Sequence, residues 1–188
     1  MTDFLQLKLL LLLCGFYIIS TSTLLGQDGY EQGYIVTNQN DTLYGLTKDR
    51  KIGSFGGIYE SVRFKGKGLR KRFSPRKIKS YEKGDVIFRS MFLNGEKTFL
   101  KVVSEGYVSH YIFELQEQGE QLVLDVDYLQ KGKNTTLVRA TQGIFGLKQK
   151  KLIQFFSDCP QLVDKIKNKE FKYVSELVSF YNQLKKEN

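Results

Sequence analysis

Apolar and polar residues alternate through most of this chain, and turn-forming residues interrupt the alternation at short intervals. Residues 33–37 and 42–46 flank the turn formers of 38–41, a pattern that predicts a β-hairpin. Short strands joined by hairpins favour an antiparallel meander over a parallel sheet. The further strand-like segments are 58–65, 86–88, 98–103, 107–115, 122–128 and 136–138.

The segment at 58–65 shows how such a strand divides between core and solvent. Ile58, Val62 and Phe64 fall on one face, because alternate residues of a strand point the same way. Arg63 and Lys65 fall on the other face. This alternation is typical of a sheet with one packed side and one wet side.

The period of the apolar residues changes in the last quarter of the chain. Residues 147–156 predict a short helix, and Pro160 suits the first turn of a second helix with Asp158 or Cys159 as its cap. Residues 174–184 carry apolar side chains at helical spacing. We therefore predict an α+β fold, an antiparallel β-meander or sheet followed by two or three C-terminal amphipathic helices.

The N-terminus has the pattern of a secretory signal peptide. Its apolar run, 9–19, has the length of about 7–15 residues that such a signal needs, whereas a membrane span needs about 20. The small residue Gly26 marks the best cleavage position, although Asp3 offsets the positive charge of Lys8. The alternative is a signal anchor that holds the protein in the inner membrane.

Cleavage after Gly26 would leave 162 of the 188 residues, enough for one domain with a core. We predict a signal peptide at 1–26 and a single α+β domain at 27–188. The β-rich part of this domain is 27–140 and the helical part is 143–188. The expected location is the periplasm or the cell surface.

The chain has only two cysteines, which limits the disulfides and metal sites that it can form. Cys14 would leave with the signal peptide, so Cys159 would be alone in the mature protein. A single thiol forms no intramolecular disulfide and assembles no thiolate zinc site. We therefore predict neither a metal nor a cofactor.

The chain is basic, with a formal net charge of +9, and its basic residues concentrate between Lys65 and Lys83. Glu82 is the one acidic residue in this segment, and Phe73 and Tyr81 lie among the cations. Outside the cytoplasm such cations meet phosphorylated lipids and acidic glycans, whereas export argues against nucleic acid. The alternative is a solvated strand pair whose aromatic side chains face the core. The candidate anion-binding residues are Lys65, Lys67, Arg70, Arg72, Arg76 and Lys77.

Candidates for catalysis are few. His110, the one histidine, shares a strand face with apolar residues, as a packed imidazole does. Cys159 would be its nucleophile, but neither residue has the local signature of a cysteine hydrolase. Asp125 and Asp127 point to one side of a strand, where paired carboxylates hold a hard cation or transfer protons. The simpler interpretation of this pair is the polar face of an amphipathic strand, and we assign no catalytic residue.

Three short segments, at 33–45, 156–162 and 177–182, resemble a family of exported Gram-negative envelope proteins. The first is 33–45, which reads Gly-Tyr-Ile-Val-Thr, then Asp-Thr, then Gly, as in the hairpin that follows the signal in that family. The segments 156–162 and 177–182 are similar to the ends of such proteins. The resemblance implies a periplasmic or surface location and supplies no catalytic residues.

We therefore expect an exported, non-enzymatic envelope protein that serves as a binding or accessory module. One alternative is a basic surface module that binds anionic lipid or glycan. The other is a hydrolase that uses Asp125 and Asp127, or Cys159. The partners that fit these interpretations are anionic envelope lipids, glycans or another envelope protein.

Overall fold

A computed structural model of the chain describes residues 29–49, 61–116, 123–132, 134, 136–141 and 146–187. In these residues the strands come first and the helices last, which confirms the predicted α+β fold. The strands are β1 (Glu31–Thr37), β2 (Thr42–Asp49), β3 (Val62–Gly66), β4 (Leu69–Phe73), β5 (Ile78–Lys83), β6 (Val86–Leu93), β7 (Glu96–Ser104), β8 (Val108–Gln116), β9 (Val123–Lys131) and β10 (Val138–Arg139). The helices are α1 (Gln149–Phe155), α2 (Pro160–Lys167) and α3 (Val174–Glu187).

The strands form one antiparallel sheet in the order β10-β9-β8-β7-β6-β5-β1-β2-β3-β4. Strands β5 to β10 neighbour each other in chain order, as a meander does, and the predicted hairpin at 33–46 is the pair β1–β2. The N-terminal strand β1 pairs with both β2 and β5 and so joins the two halves of the sheet.

The connection from β4 to β5 requires the sheet to curl. In a flat sheet these strands would lie about 19 Å apart, because three strands separate them in the order. Yet residues 74–77 join them through a turn in which the Lys77 N–H donates to the Ser74 carbonyl at 2.9 Å, and such a turn spans less than about 7 Å. The turn is fixed from both sides, because the Asn38 amide donates to the Arg76 carbonyl and the Ser90 hydroxyl donates to the Pro75 carbonyl.

The curled half encloses a hydrophobic cluster on what we call the inner face of the sheet. Its members come from β1 and from β3 to β7, and they are Ile35, Val62, Phe64, Phe73, Ile78, Tyr81, Phe88 and Phe99. Gly33 and Gly45 lie opposite each other on this face. A Cβ atom at Gly45 would collide with the Lys65 carbonyl, and one at Gly33 with the Glu82 carbonyl. The close backbone approach of the curl therefore requires glycine at both positions.

The three helices cover the inner face at its other end. Val108 of β8 and Leu129 of β9 contribute to a cluster whose remaining members include Leu152, Phe156 and Leu177 of the helical part. A third cluster lies on the opposite, outer face of β6 to β9, and its buried residues are Leu93, Leu100, Tyr111, Val126 and Tyr128. The β8–β9 region thus carries apolar side chains on both sides.

A polar cluster holds the helices against β9. The Lys131 ammonium donates to the Asp158 carboxylate at 2.6 Å and to the Phe155 carbonyl at 2.8 Å. The Tyr181 hydroxyl donates to the other oxygen of Asp158 at 2.6 Å. Burial and the Asp158 carboxylate raise the pKa of Tyr181. Burial acts to raise the pKa of Asp158, but the hydrogen bonds from Lys131 and Tyr181 prevail and lower it.

The helices match the predicted pattern. Cys159 occupies the N-cap position of α2 and Pro160 follows it in the first turn, although the thiol makes no capping hydrogen bond. In the part of the chain that the structure describes, none of the helices is both long enough and apolar enough to cross a membrane. The signal peptide proposed at 1–26 and the strand residue Ile58 lie outside the described residues.

Candidate anion-binding face

The pairing of β2, β3 and β4 collects basic side chains on the outer face of the sheet. Arg63 lies directly opposite Arg72, and Lys65 directly opposite Arg70. Lys48 of β2 lies opposite Arg63 on the other side. Because directly paired residues point to the same side of a sheet, these side chains share one surface. We call it the basic face: Lys48, Arg63, Lys65, Arg70 and Arg72.

Buried apolar residues fix the orientation of the basic face. Val62, Phe64 and Phe73 alternate with its cations along β3 and β4, and each is at most 8% exposed. The rings of Phe64 and Phe73 pack edge to face, with their centroids 6.3 Å apart. A one-residue slip would bring the arginines into the core, so the core sets which side the cations occupy.

The spacing of the basic face follows from sheet geometry. Neighbouring strands lie about 4.8 Å apart, so the row Lys48–Arg63–Arg72 extends about 10 Å across the sheet. The row Lys65–Arg70 lies two residues, or about 7 Å, along the strands. Like charges directly opposite each other destabilise a sheet. The directly opposite Arg63 and Arg72 therefore cost stability unless an anion lies beside them.

Aromatic side chains accompany the cations. The Lys65 ammonium lies 3.8 Å from the centroid of the Tyr30 ring, and the Lys48 ammonium lies 5.3 Å from it. Such cation–π contacts stabilise a positive charge without removing it. Tyr44 lies on the same side of β2, is 69% exposed, and packs edge to face on Tyr34 at 5.9 Å.

The nearest acidic side chain of β2 points away from the basic face. Asp49 is opposite Val62 on the inner face, where it accepts hydrogen bonds from Tyr81 at 2.7 Å and Lys83 at 2.5 Å. Burial acts to lower the pKa of Lys83, but Asp49 and Glu31 prevail and raise it. Among the described residues, none of the ion pairs involves Arg63, Arg70 or Arg72.

The six sequence-predicted candidates do not form one cluster. Lys65, Arg70 and Arg72 belong to the basic face, and Lys67 lies at its end, in the β3–β4 turn, with a φ of 46°. Arg76 and Lys77 lie beyond the opposite end of β4, in the turn that leads to β5.

Sequence reasoning about the basic segment omitted Lys48 and Arg63. Lys48 is separated from the segment along the chain and joins it only through the β2–β3 pairing. Arg63 lies just ahead of the segment, and the alternation of 58–65 already placed it on the side of Lys65. Strand periodicity was the signal that would have found Arg63.

The carboxylates of Asp125 and Asp127 lie in different surroundings. Asp127 Oδ1 lies 2.6 Å from Nε2 of His110, which is only 3% exposed. Burial raises the pKa of Asp125, as does Glu114, which lies directly opposite it and forms an ion pair with Lys101 at 3.7 Å. Within the described ranges, no group of three or more His, Cys, Asp or Glu side chains is arranged to hold a metal ion.

Cys159 and His110 do not form a hydrogen-bonded pair. The Nε2 atom of His110 contacts Asp127, and its Nδ1 atom has no hydrogen-bond partner among the residues that the structure describes. The Cys159 thiol is buried among the apolar residues of the helical cluster, with 9% of the residue exposed. Its environment is that of a packed side chain.

No family model, curated protein or solved structure matches this chain. The resemblance of its first hairpin to exported envelope proteins stays a prediction. Any proposal about function therefore rests on the sequence and on the geometry and charge of the described residues.

Proposed function

We propose that this chain is an exported, non-enzymatic binding module that attaches to an anionic phospholipid surface through the basic face. The observation that supports this proposal is the grouping of five cations on one side of β2 to β4. Export is inferred from the sequence of residues 1–26, and it would bring this face to the phospholipids of the envelope.

A lipid surface fits the shape of the basic face. The cations stand side by side on three neighbouring strands, within about 10 Å by 7 Å, so their long side chains can extend to the same layer of headgroups. Each basic residue near an anionic membrane contributes about 1 kcal/mol. Five would contribute about 5 kcal/mol before screening by salt. The exposed ring of Tyr44 adds a side chain that favours the membrane–water interface.

Vesicle sedimentation tests this proposal. The protein is mixed with vesicles of phosphatidylcholine alone or with about a third phosphatidylglycerol, across a salt series. We expect binding only to the anionic vesicles, and we expect salt to weaken it steeply, because the attraction is screened. Binding that is absent or insensitive to salt would refute the proposal.

A charge-matched pair of variants locates the binding surface. Arg63→Glu with Arg72→Glu reverses two charges on the basic face, whereas Lys150→Glu with Lys186→Glu reverses two exposed charges on the helices. We expect the double variant on the basic face to bind anionic vesicles at least about tenfold more weakly than the parent. The affinity of the double variant on the helices should stay within about twofold of the parent. An equal loss in both pairs would mean that net charge alone drives attachment.

The export part of the proposal has its own test. Cell fractionation followed by N-terminal sequencing should find a chain that starts after Gly26 outside the cytoplasm. A chain that retains Met1 in the inner membrane would support the signal-anchor alternative. Full-length chain free in the cytosol would contradict export and would favour nucleic acid as the polyanion.

A further inference from the structure

A second surface, which begins at the β4–β5 turn beyond the end of the basic face, combines an exposed aromatic ring with cations. Phe92, near the end of β6, is 64% exposed. Its side chain lines two grooves of about 800 Å³ and about 350 Å³. The larger groove runs between the β6–β7 hairpin, β10 and α1, and the smaller one lies between that hairpin and the β4–β5 turn. Phe92 therefore lies between two grooves that four parts of the fold form.

Basic side chains from these parts line the same grooves as Phe92. Arg139 and Lys151 line the larger groove, and Arg76 and Lys97 line the smaller one. The Lys97 ammonium lies 5.5 Å from the centroid of the ring. Among the described residues that line the two grooves, none carries a carboxylate. The two grooves thus present four cations and one exposed ring, and the nearest groove-lining carboxylate is that of Glu96, in a third groove that shares Lys97 with the smaller one.

The charges near the larger groove repel one another. Partial desolvation, followed by the charges of Arg139 and Lys151, lowers the pKa of the neighbouring Lys148. Arg139 is held in place, because its Nε–H donates to the Thr141 carbonyl at 2.9 Å. An anion in the groove would relieve this repulsion.

The remaining lining of the larger groove indicates what kind of anion fits. Phe155 adds an aromatic side chain, Tyr128 is only 8% exposed and adds little surface, and Asn94, Thr136 and Gln154 add amide and hydroxyl groups. Sugar rings pack their C–H faces on aromatic rings, and their hydroxyl groups bond to amides and hydroxyls. A volume of about 800 Å³ lies in the range of ligand sites.

We propose that the two grooves joined at Phe92 bind an acidic oligosaccharide, a linear chain of sugars that carry carboxylates. The carboxylates pair with Arg139 and Lys151 in one groove and with Arg76 and Lys97 in the other, while the Phe92 ring packs against a sugar between them. This site is separate from the basic face, so the protein has one surface for lipid and another for glycan.

Calorimetric titration with tetragalacturonate, an acidic tetrasaccharide, tests the proposal on protein expressed from the full sequence. A neutral tetrasaccharide, maltotetraose, serves as the ligand control. We expect the acidic sugar to bind and the neutral one not to bind. Absence of binding at millimolar tetragalacturonate, or equal binding of both sugars, would overturn the proposal. Tighter binding of an eight-residue oligothymidylate would also overturn it, because cations with stacked rings then serve single-stranded nucleic acid.

Variants identify the grooves and separate this site from the basic face. Phe92→Ala should lower the affinity for the acidic sugar at least fivefold. Tyr173→Ala, which removes another exposed ring, should leave that affinity within twofold of the parent. Arg139→Glu with Lys151→Glu should weaken it more than tenfold, and Arg63→Glu with Arg72→Glu should not. The unfolding temperature of each variant reports whether it is folded, and Phe92→Ala should keep it because the ring is exposed.

Substitutions at one of the two surfaces should leave binding at the other surface unchanged. Phe92→Ala should bind anionic vesicles as the parent protein does, whatever its effect on the sugar. If all groove variants bind the acidic sugar like the parent, the grooves are not its site, even where the vesicle results support the lipid proposal.

Discussion

Replacing Arg72 by glutamate should make the protein more stable and a weaker membrane binder at the same time. Arg72 and Arg63 are exposed and directly opposite each other. A like-charged cross-strand pair costs, and an opposite pair contributes, about 0.2–1 kcal/mol. Arg72→Glu replaces a like-charged pair with Arg63 by an oppositely charged pair. The free energy of unfolding should therefore rise by about 1 kcal/mol. For a chain of this length that corresponds to an unfolding temperature about 2–4 °C higher.

The same substitution should weaken attachment to anionic vesicles. It changes the charge of the basic face by two units, and each unit near an anionic surface is worth about 1 kcal/mol. A loss of about 2 kcal/mol corresponds to about a 30-fold lower affinity at low salt, and screening reduces this factor at physiological salt. A residue that serves only the fold would not give opposite signs for stability and binding.

Thermal unfolding and vesicle sedimentation on the same preparations check both parts. Arg72→Gln removes the repulsion without adding an attraction, so it should show about half of each effect. Lys186→Glu, on α3, should leave vesicle binding almost unchanged. A lower unfolding temperature for Arg72→Glu would refute the pairing argument, and unaltered vesicle binding would refute the role of the basic face.

Three further predictions address the fold and the thiol. Gly45→Ala should destabilise the protein by about 3 kcal/mol in urea unfolding, because its methyl group meets the Lys65 carbonyl where the sheet curls. Asp158→Asn should be less stable than the parent at pH 7, and this difference should shrink as the pH falls below about 4. The pKa of Asp158 is lowered in the folded state, so its contribution is present above the unfolded pKa and is lost as the pH falls through the folded one. A pH-independent difference would contradict this. Cys159 should react slowly with a thiol reagent in the folded protein and rapidly in urea, because it is buried; fast labelling without urea would show an accessible thiol.

The regular parts of the fold were predictable because local patterns define them. Tyr34 pairs with Tyr44 across the predicted hairpin, and Pro160 starts a helix as its fixed φ favours. The order of the strands was not predictable in the same way. Pairing of β1 with β5 brings together Ile35 and Tyr81, and no short-range signal reports a contact at that separation.

The candidate site divides in the same manner. Alternation along the chain predicts that Arg70 and Arg72 share a side, since the residues of a strand alternate between its faces. It gives no reason to add Lys48, which reaches the basic face only because β2 pairs with β3. Nor does alternation show that Arg76 lies apart from the basic face. Arg76 is in the β4–β5 turn and lines the groove beside Phe92.

The chain's own order of residues determined which segments are strands and helices and which side of each strand meets solvent, because these depend on neighbours two to four positions away. Only the tertiary structure decided that the sheet curls at Gly33 and Gly45, that five cations share one surface, and that Phe92 meets basic residues from other elements. The physical reason is that strand pairing and core packing join residues far apart in the chain, and a local pattern carries no information about those partners.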